Sequence, residues 1–254
     1  MQWQDTVESV HEGRTTLVHR LGLDIGTQFV LVHGIGVAAT YFTRLAEVLA
    51  RSGGVHVLEL PGFGSGPRPA RPLTVDEHAA QVVHYLRSSG QDRAVLVGHS
   101  MGAQFVVEAA LKAPELVSSV VAIGCVVDPE ARSATRQGLR LLADFLREPP
   151  RATWAVLRDY ARTGPRWYLA SLPAMLGYRL EEAVSALPHP LLVVRGGRDP
   201  IAPRAWTEQV CRSAPDARML EVPGAAHVVP WTHAEEVGAA VVDHARAATD
   251  GRSA

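Results

Sequence analysis

Lysine is nearly missing from this chain: Lys112 stands alone beside 24 arginines. That imbalance fits GC-rich codon usage in a bacterial genome and says little about function. Cysteine is almost as scarce. Cys125 and Cys211 cannot build a disulfide framework or a cysteine-based zinc site, so reduced thiols in a cytoplasm are expected. A dominant sign of charge is missing too. With 25 basic against 26 acidic side chains and a net charge of -1, no overall field favours nucleic acid or an anionic membrane. No apolar run approaches the roughly 18 residues needed to cross a bilayer. Met1 to Glu12 carry Asp5, Glu8 and Glu12 and lack the basic start and apolar stretch of a signal peptide. The glycines of Gly34-Ile35-Gly36 do not continue into a dinucleotide fingerprint. These absences predict a cytoplasmic protein with no nucleic acid, membrane, cofactor or metal partner, which leaves a small molecule as the partner to look for. They leave its oligomeric state open.

What is present is a core. The chain is 47% hydrophobic and 20% charged over 254 residues, a globular composition at a length that admits one large domain or two smaller ones. Short β-branched runs alternate with helical patterns, the signature of parallel strands joined by crossover helices. Strands are expected near Thr15 to Leu21, Gln28 to His33, Val55 to Leu60, Arg93 to Val97, Ser118 to Ile123, Pro190 to Arg195 and Ala217 to Val222. Several are continuously apolar, as strands buried on both faces are. Helices are expected at about Thr40 to Ser52, Thr74 to Ser89, Ser100 to Ala113, Ala202 to Ser213 and His233 to Ala247. Thr74 and Glu77 have the spacing of a capping box, and Thr249 to Ala254 read as a frayed tail.

One stretch breaks the alternation. From Pro129 to Leu187 no strand pattern occurs, and Pro149-Pro150, Gly164-Pro165 and Pro173 divide it into three or four short helical pieces. It holds six of the chain's fifteen aromatic residues and nine arginines. An inserted helical subdomain over 129–187 is expected, set into a main domain of 1–128 and 188–254.

The chemistry is concentrated at Gly98-His99-Ser100-Met101-Gly102, a G-x-S-x-G pattern between an apolar strand and a helix. A serine lifted clear of a sheet on so sharp a turn crowds its neighbours, and glycine has no Cβ to clash. A serine hydroxyl needs a base to take its proton, and the base needs a third group to orient it. Asp199 follows the strand ending near Arg195, and His227 follows the last strand, so both reach the sheet edge where Ser100 emerges. Asp128, just after the strand ending at Ile123, is the rival acid. His33-Gly34-Ile35-Gly36 follows another strand, and the backbone N–H of Ile35 could meet an oxyanion beside that of Met101.

Together with Leu60-Pro61-Gly62-Phe63-Gly64-Ser65-Gly66, these motifs resemble the α/β-hydrolase fold superfamily over nearly the whole chain. The resemblance implies a mainly parallel eight-stranded sheet with helices on both faces and an inserted helical cap. It implies a Ser100, Asp199 and His227 triad, and Ser100 departs from the Asp nucleophile of haloalkane dehalogenases and epoxide hydrolases. The expected reaction is hydrolysis of an apolar ester, lactone or thioester through an acyl-enzyme. The same site could instead serve carbon–carbon hydrolysis, elimination, cyclisation or acyl transfer, and less readily a small-molecule receptor. His33, Gly34, Cys125, Trp154, Trp167, Tyr168 and Trp231 are the expected pocket residues. An inward-pointing arginine of the cap is a further candidate, for an anionic substrate group.

Overall fold

The computed structural model describes residues 3–23 and 25–250. Eight strands form one sheet in the order β1-β2-β4-β3-β5-β6-β7-β8. They are β1 (Asp5–His11), β2 (Arg14–Gly22), β3 (Thr27–Val32), β4 (Gly53–Glu59), β5 (Ala94–His99), β6 (Val117–Ile123), β7 (Leu191–Gly196) and β8 (Ala217–Val222). β1 and β2 run antiparallel at one edge, and every pairing from β4 onward is parallel. β1 goes beyond the seven strands located in the sequence. Its Asp-Thr-Val-Glu-Ser-Val-His run is an exposed edge with few apolar residues, and only the Glu12-Gly13 turn, with both φ positive, marks the hairpin.

The side chains of β3 show how the core divides. Phe29 and Leu31 join one apolar cluster, and Val30 and Val32 join the other, because successive strand residues face opposite sides. The first cluster is covered by α1 (Thr43–Leu49) and the second by α2 (Val75–Ser88) and α3 (Met101–Lys112). The capping box at α2 forms: Glu77 N–H donates to Thr74 Oγ1 at 3.2 Å, and Thr74 N–H donates to Glu77 Oε2 at 3.0 Å.

Between β6 and β7 the chain is helical: α4 (Ala134–Phe145), α5 (Pro150–Thr163), α6 (Pro165–Gly177) and α7 (Leu180–Ser185). Breaks fall at Pro149-Pro150 and at Gly164, whose φ is +77°. Pro173 departs from expectation, because it lies inside α6 and does not divide it. The helix forgoes one backbone bond there, and Leu169, whose carbonyl would have accepted it, is exposed. α8 (Arg204–Ser213), α9 (Val229–Thr232) and α10 (Ala234–Asp250) complete the chain. Thr249 and Asp250 belong to α10, so the expected tail is shorter; the rest of it lies outside the described residues. Among the described residues no helix is long and apolar enough to cross a membrane.

Candidate active site

Ser100 sits between the last residue of β5 and the first of α3, with φ +57° and ψ −121°. A left-handed φ on a residue with a side chain is strained, and here the glycines on either side make it possible. A Cβ on Gly98 would lie 2.3 Å from the Gly102 carbonyl oxygen, and one on Gly102 would lie 2.1 Å from that of Val32. The turn is pinned from the next strand by Ser100 N–H donating to Ile123 O at 2.8 Å.

The loop after β3 runs against this serine. A Cβ on Gly34 would stand 2.8 Å from Ser100 Cβ and 3.3 Å from its Oγ. Fully buried His33 holds the loop: its Nε2 accepts from Leu60 N–H at 3.1 Å, which leaves Nδ1–H to donate to Gly34 O at 2.8 Å. Burial keeps its pKa below the usual imidazole value, so this bonding tautomer is neutral.

Asp199 lies beyond the end of β7, buried, with Oδ1 accepting from the N–H groups of Ile201 at 2.8 Å and Ala202 at 3.0 Å. Its Oδ2 accepts from His227 Nδ1–H at 2.8 Å. Burial works against the Asp199 charge, but His227 and the three hydrogen bonds overcome it and hold the pKa below the usual carboxylate value. Burial likewise works against a charged His227. The Asp199 carboxylate, its hydrogen bond and the carboxylates of Asp144 and Glu148 prevail and raise the imidazole to about 9.

Ser100 and His227 line one narrow cavity of two adjoining lobes. Both lobes include Ile35, Leu141 and Tyr160. One adds Gly34, Val37 and Asp144, and the other adds Val126, Gln137 and Tyr168. The wall is mainly apolar with a few polar groups, the usual make-up of a small-molecule site. Leu141, Asp144, Val156, Tyr160 and Tyr168 come from α4, α5 and α6, between β6 and β7.

The other expected pocket residues stand elsewhere. His33 is fully buried and lines neither lobe. Cys125 is buried with its thiol toward Ala122 O, at 3.8 Å, and its own carbonyl accepts from Trp206 Nε1–H. Trp167 packs on Gly62, whose added Cβ would lie 2.7 Å from the indole. Trp154 is 69% exposed. Trp231 leaves the site because the short α9 buries Val229 and Pro230, and its ring stacks under the Arg44 guanidinium at 3.7 Å. No arginine of the insert lines either lobe. Asp128, the rival acid, accepts from Arg140 at 2.7 Å, away from His227.

Sequence reasoning missed Asp144, Glu148 and His99, all of which hold the His227 segment. Asp144 Oδ1 accepts from His227 N–H at 3.0 Å, and Glu148 Oε1 accepts from Val228 N–H at 2.5 Å. His99 Nε2–H donates to His227 O at 3.0 Å, with Tyr41 Oη 3.2 Å from the same nitrogen. The insert also reaches the loop after β3, where Thr163 Oγ1 donates to Gly36 O at 2.9 Å. A signal for Asp144 existed in the stripe Gln137, Leu141, Asp144, Glu148, which falls on one helical face.

Residues 29–240 match the model of the alpha/beta hydrolase family. The polyketide synthase ThaQ of Burkholderia thailandensis is 30% identical over 242 residues, which are 85% of this chain and 12% of ThaQ. The pimeloyl-[acyl-carrier protein] methyl ester esterase of Chromobacterium violaceum is 28% identical over 244 residues, covering 86% of this chain and 94% of that one. A solved structure of a thermophilic esterase from Thermogutta terrifontis superposes with a TM-score of 0.81 at 21% identity, over 96% of this chain and 99% of that one.

Proposed function

The chain belongs to the alpha/beta hydrolase family, and within it we propose that it is a serine hydrolase of an apolar small-molecule ester, lactone or thioester. Ser100 Oγ attacks the carbonyl carbon while His227 Nε2 takes its proton. The bond to the leaving group then breaks, His227 returns the proton to that group, and the acyl chain stays on Ser100. Water deprotonated by His227 attacks the acyl-enzyme, releases the acid and restores Ser100. Asp199 fixes the Nδ1–H tautomer and stabilises the imidazolium. The N–H groups of Ile35 and Met101 meet the oxyanion; Met101 opens α3 and so has no acceptor within the helix. Each such donor contributes about 2.7 to 4 kcal/mol to the transition state.

The observation that carries this reading is the left-handed Ser100 on the wall of a cavity also lined by His227, whose ring is held from behind by buried Asp199. Strain of this kind costs about 1–3 kcal/mol and persists where the surroundings impose it. The Chromobacterium esterase supports an ester substrate, and Ile35, Val37, Leu141 and Val156 favour an apolar acyl part. A panel of nitrophenyl esters of increasing chain length tests the reading. Turnover should depend on chain length and vanish in Ser100→Ala; full turnover in that variant would refute it.

A further inference from the structure

Helix α4 departs from the ordinary amphipathic pattern. Leu139, Leu142 and Leu146 are exposed along its outward side, whereas Gln137, Asp144 and, just past its end, Glu148 are buried. Leu141 and Phe145 pack inward against the apolar clusters, but apolar burial does not account for the three polar side chains buried beside them. Asp144 also occupies the last helical turn, where the helix dipole disfavours a carboxylate. A local choice this unfavourable points to a contact made elsewhere. That contact is the main chain of the segment carrying His227.

We propose that Asp144, seconded by Glu148, is a positioning residue that fixes the main chain of His227 to the inserted helices and so keeps the imidazole in place between Asp199 and Ser100. The proposal rests on reading His227 as the base. His227 is then held at three points: its N–H by Asp144, its carbonyl by His99, and its ring by Asp199. The adjacent Val228 N–H is taken by Glu148. Glu148 Oε2 is buried and makes no hydrogen bond. Burial, then Asp144 and Asp199, push Glu148 up to about 7. Near neutrality a proton can therefore reside on Oε2 while Oε1 keeps the Val228 bond. The charged or titratable groups facing His227 are Asp199 from the loop after β7, His99 from β5, and Asp144 and Glu148 from the insert.

Hydrogen exchange at the His227 amide, NMR titration of its ring and the rate of Ser100 labelling by a fluorophosphonate test the proposal in Asp144→Ala and Asp144→Asn. Asp144→Ala should raise His227 amide exchange and slow labelling, each by about 10- to 100-fold. Asp144→Asn keeps an acceptor oxygen but loses the charge. It should leave exchange within about twofold of the unsubstituted chain and move the ring midpoint to lower pH. Exchange and labelling unchanged in Asp144→Ala, or faster exchange confined to α4 with His227 still protected, would overturn the proposal. If Asp144→Ala does not fold, Asp144→Asn decides, and His227 amide exchange more than about tenfold faster although the acceptor oxygen is kept overturns it. Failure of Ser100 to react in the unsubstituted chain would sink the hydrolase reading, while exchange and ring titration, which need no catalysis, still decide the role of Asp144.

Discussion

Turnover should depend steeply on pH because of what surrounds His227. Burial by itself would lower the imidazole from 6.5, yet Asp199, then Asp144 and Glu148, carry it to about 9. A general base works only when unprotonated. With a midpoint near 9, about one molecule in a hundred holds neutral His227 at pH 7, so kcat/KM should climb about tenfold per pH unit and level off only above 9. Stability moves the other way. A group whose folded pKa exceeds its unfolded value stabilises the fold in full below the unfolded value, here 6.5, and that contribution fades as pH rises through about 9. The shift corresponds to about 3 kcal/mol. The assay is a pH-stat measurement of kcat/KM on a soluble ester from about pH 6 to 10, with a urea melt at each point. An acidic limb centred at or below the ordinary imidazole value would refute the reasoning, as would urea midpoints that do not decline between pH 7 and 9.

Asp199→Asn should keep the fold, since the amide oxygen can still accept from Ile201 and Ala202. Its NH₂ would face His227 Nδ1 and impose the wrong tautomer, lowering kcat by about four orders of magnitude, and loss of the charge that holds the imidazolium should lower Tm by about 6 to 12 °C below pH 7. Steady-state kinetics with a thermal melt check both halves. Gly34→Ala places a methyl 2.8 Å from Ser100 Cβ, so the serine or the loop must shift. A loss of about 10- to 100-fold in kcat is expected, read against an unchanged circular-dichroism spectrum.

Part of this site is legible without coordinates because steric demands leave few alternatives. No side chain larger than hydrogen fits at Gly98 or Gly102, so the glycines around Ser100 announce the turn. That Asp199 and His227 reach the same edge follows from the apolar strands before them, since parallel strands end together. The edge strand β1 was harder to see, because an edge exposed to water needs no apolar pattern. Helix α4 misleads more deeply. Leu139, Leu142 and Leu146 form an apolar stripe of their own, and only the carboxylates' backbone partners, set by tertiary contact with residues 227 and 228, explain why that stripe faces out while Gln137, Leu141 and Asp144 face in. Trp154 and Trp231 mislead for a related reason: aromatic character does not specify direction, and both rings point away from the cavity.

The central claim is that Ser100 is the nucleophile, and the most direct measurement is the intact mass of the native chain after a fluorophosphonate, followed by peptide mapping of the adduct. A single phosphonyl group on Ser100, formed by the folded chain but not by the unfolded chain or by His227→Ala, is the predicted result. An adduct on another residue, or equal labelling of Ser100→Ala, would contradict it.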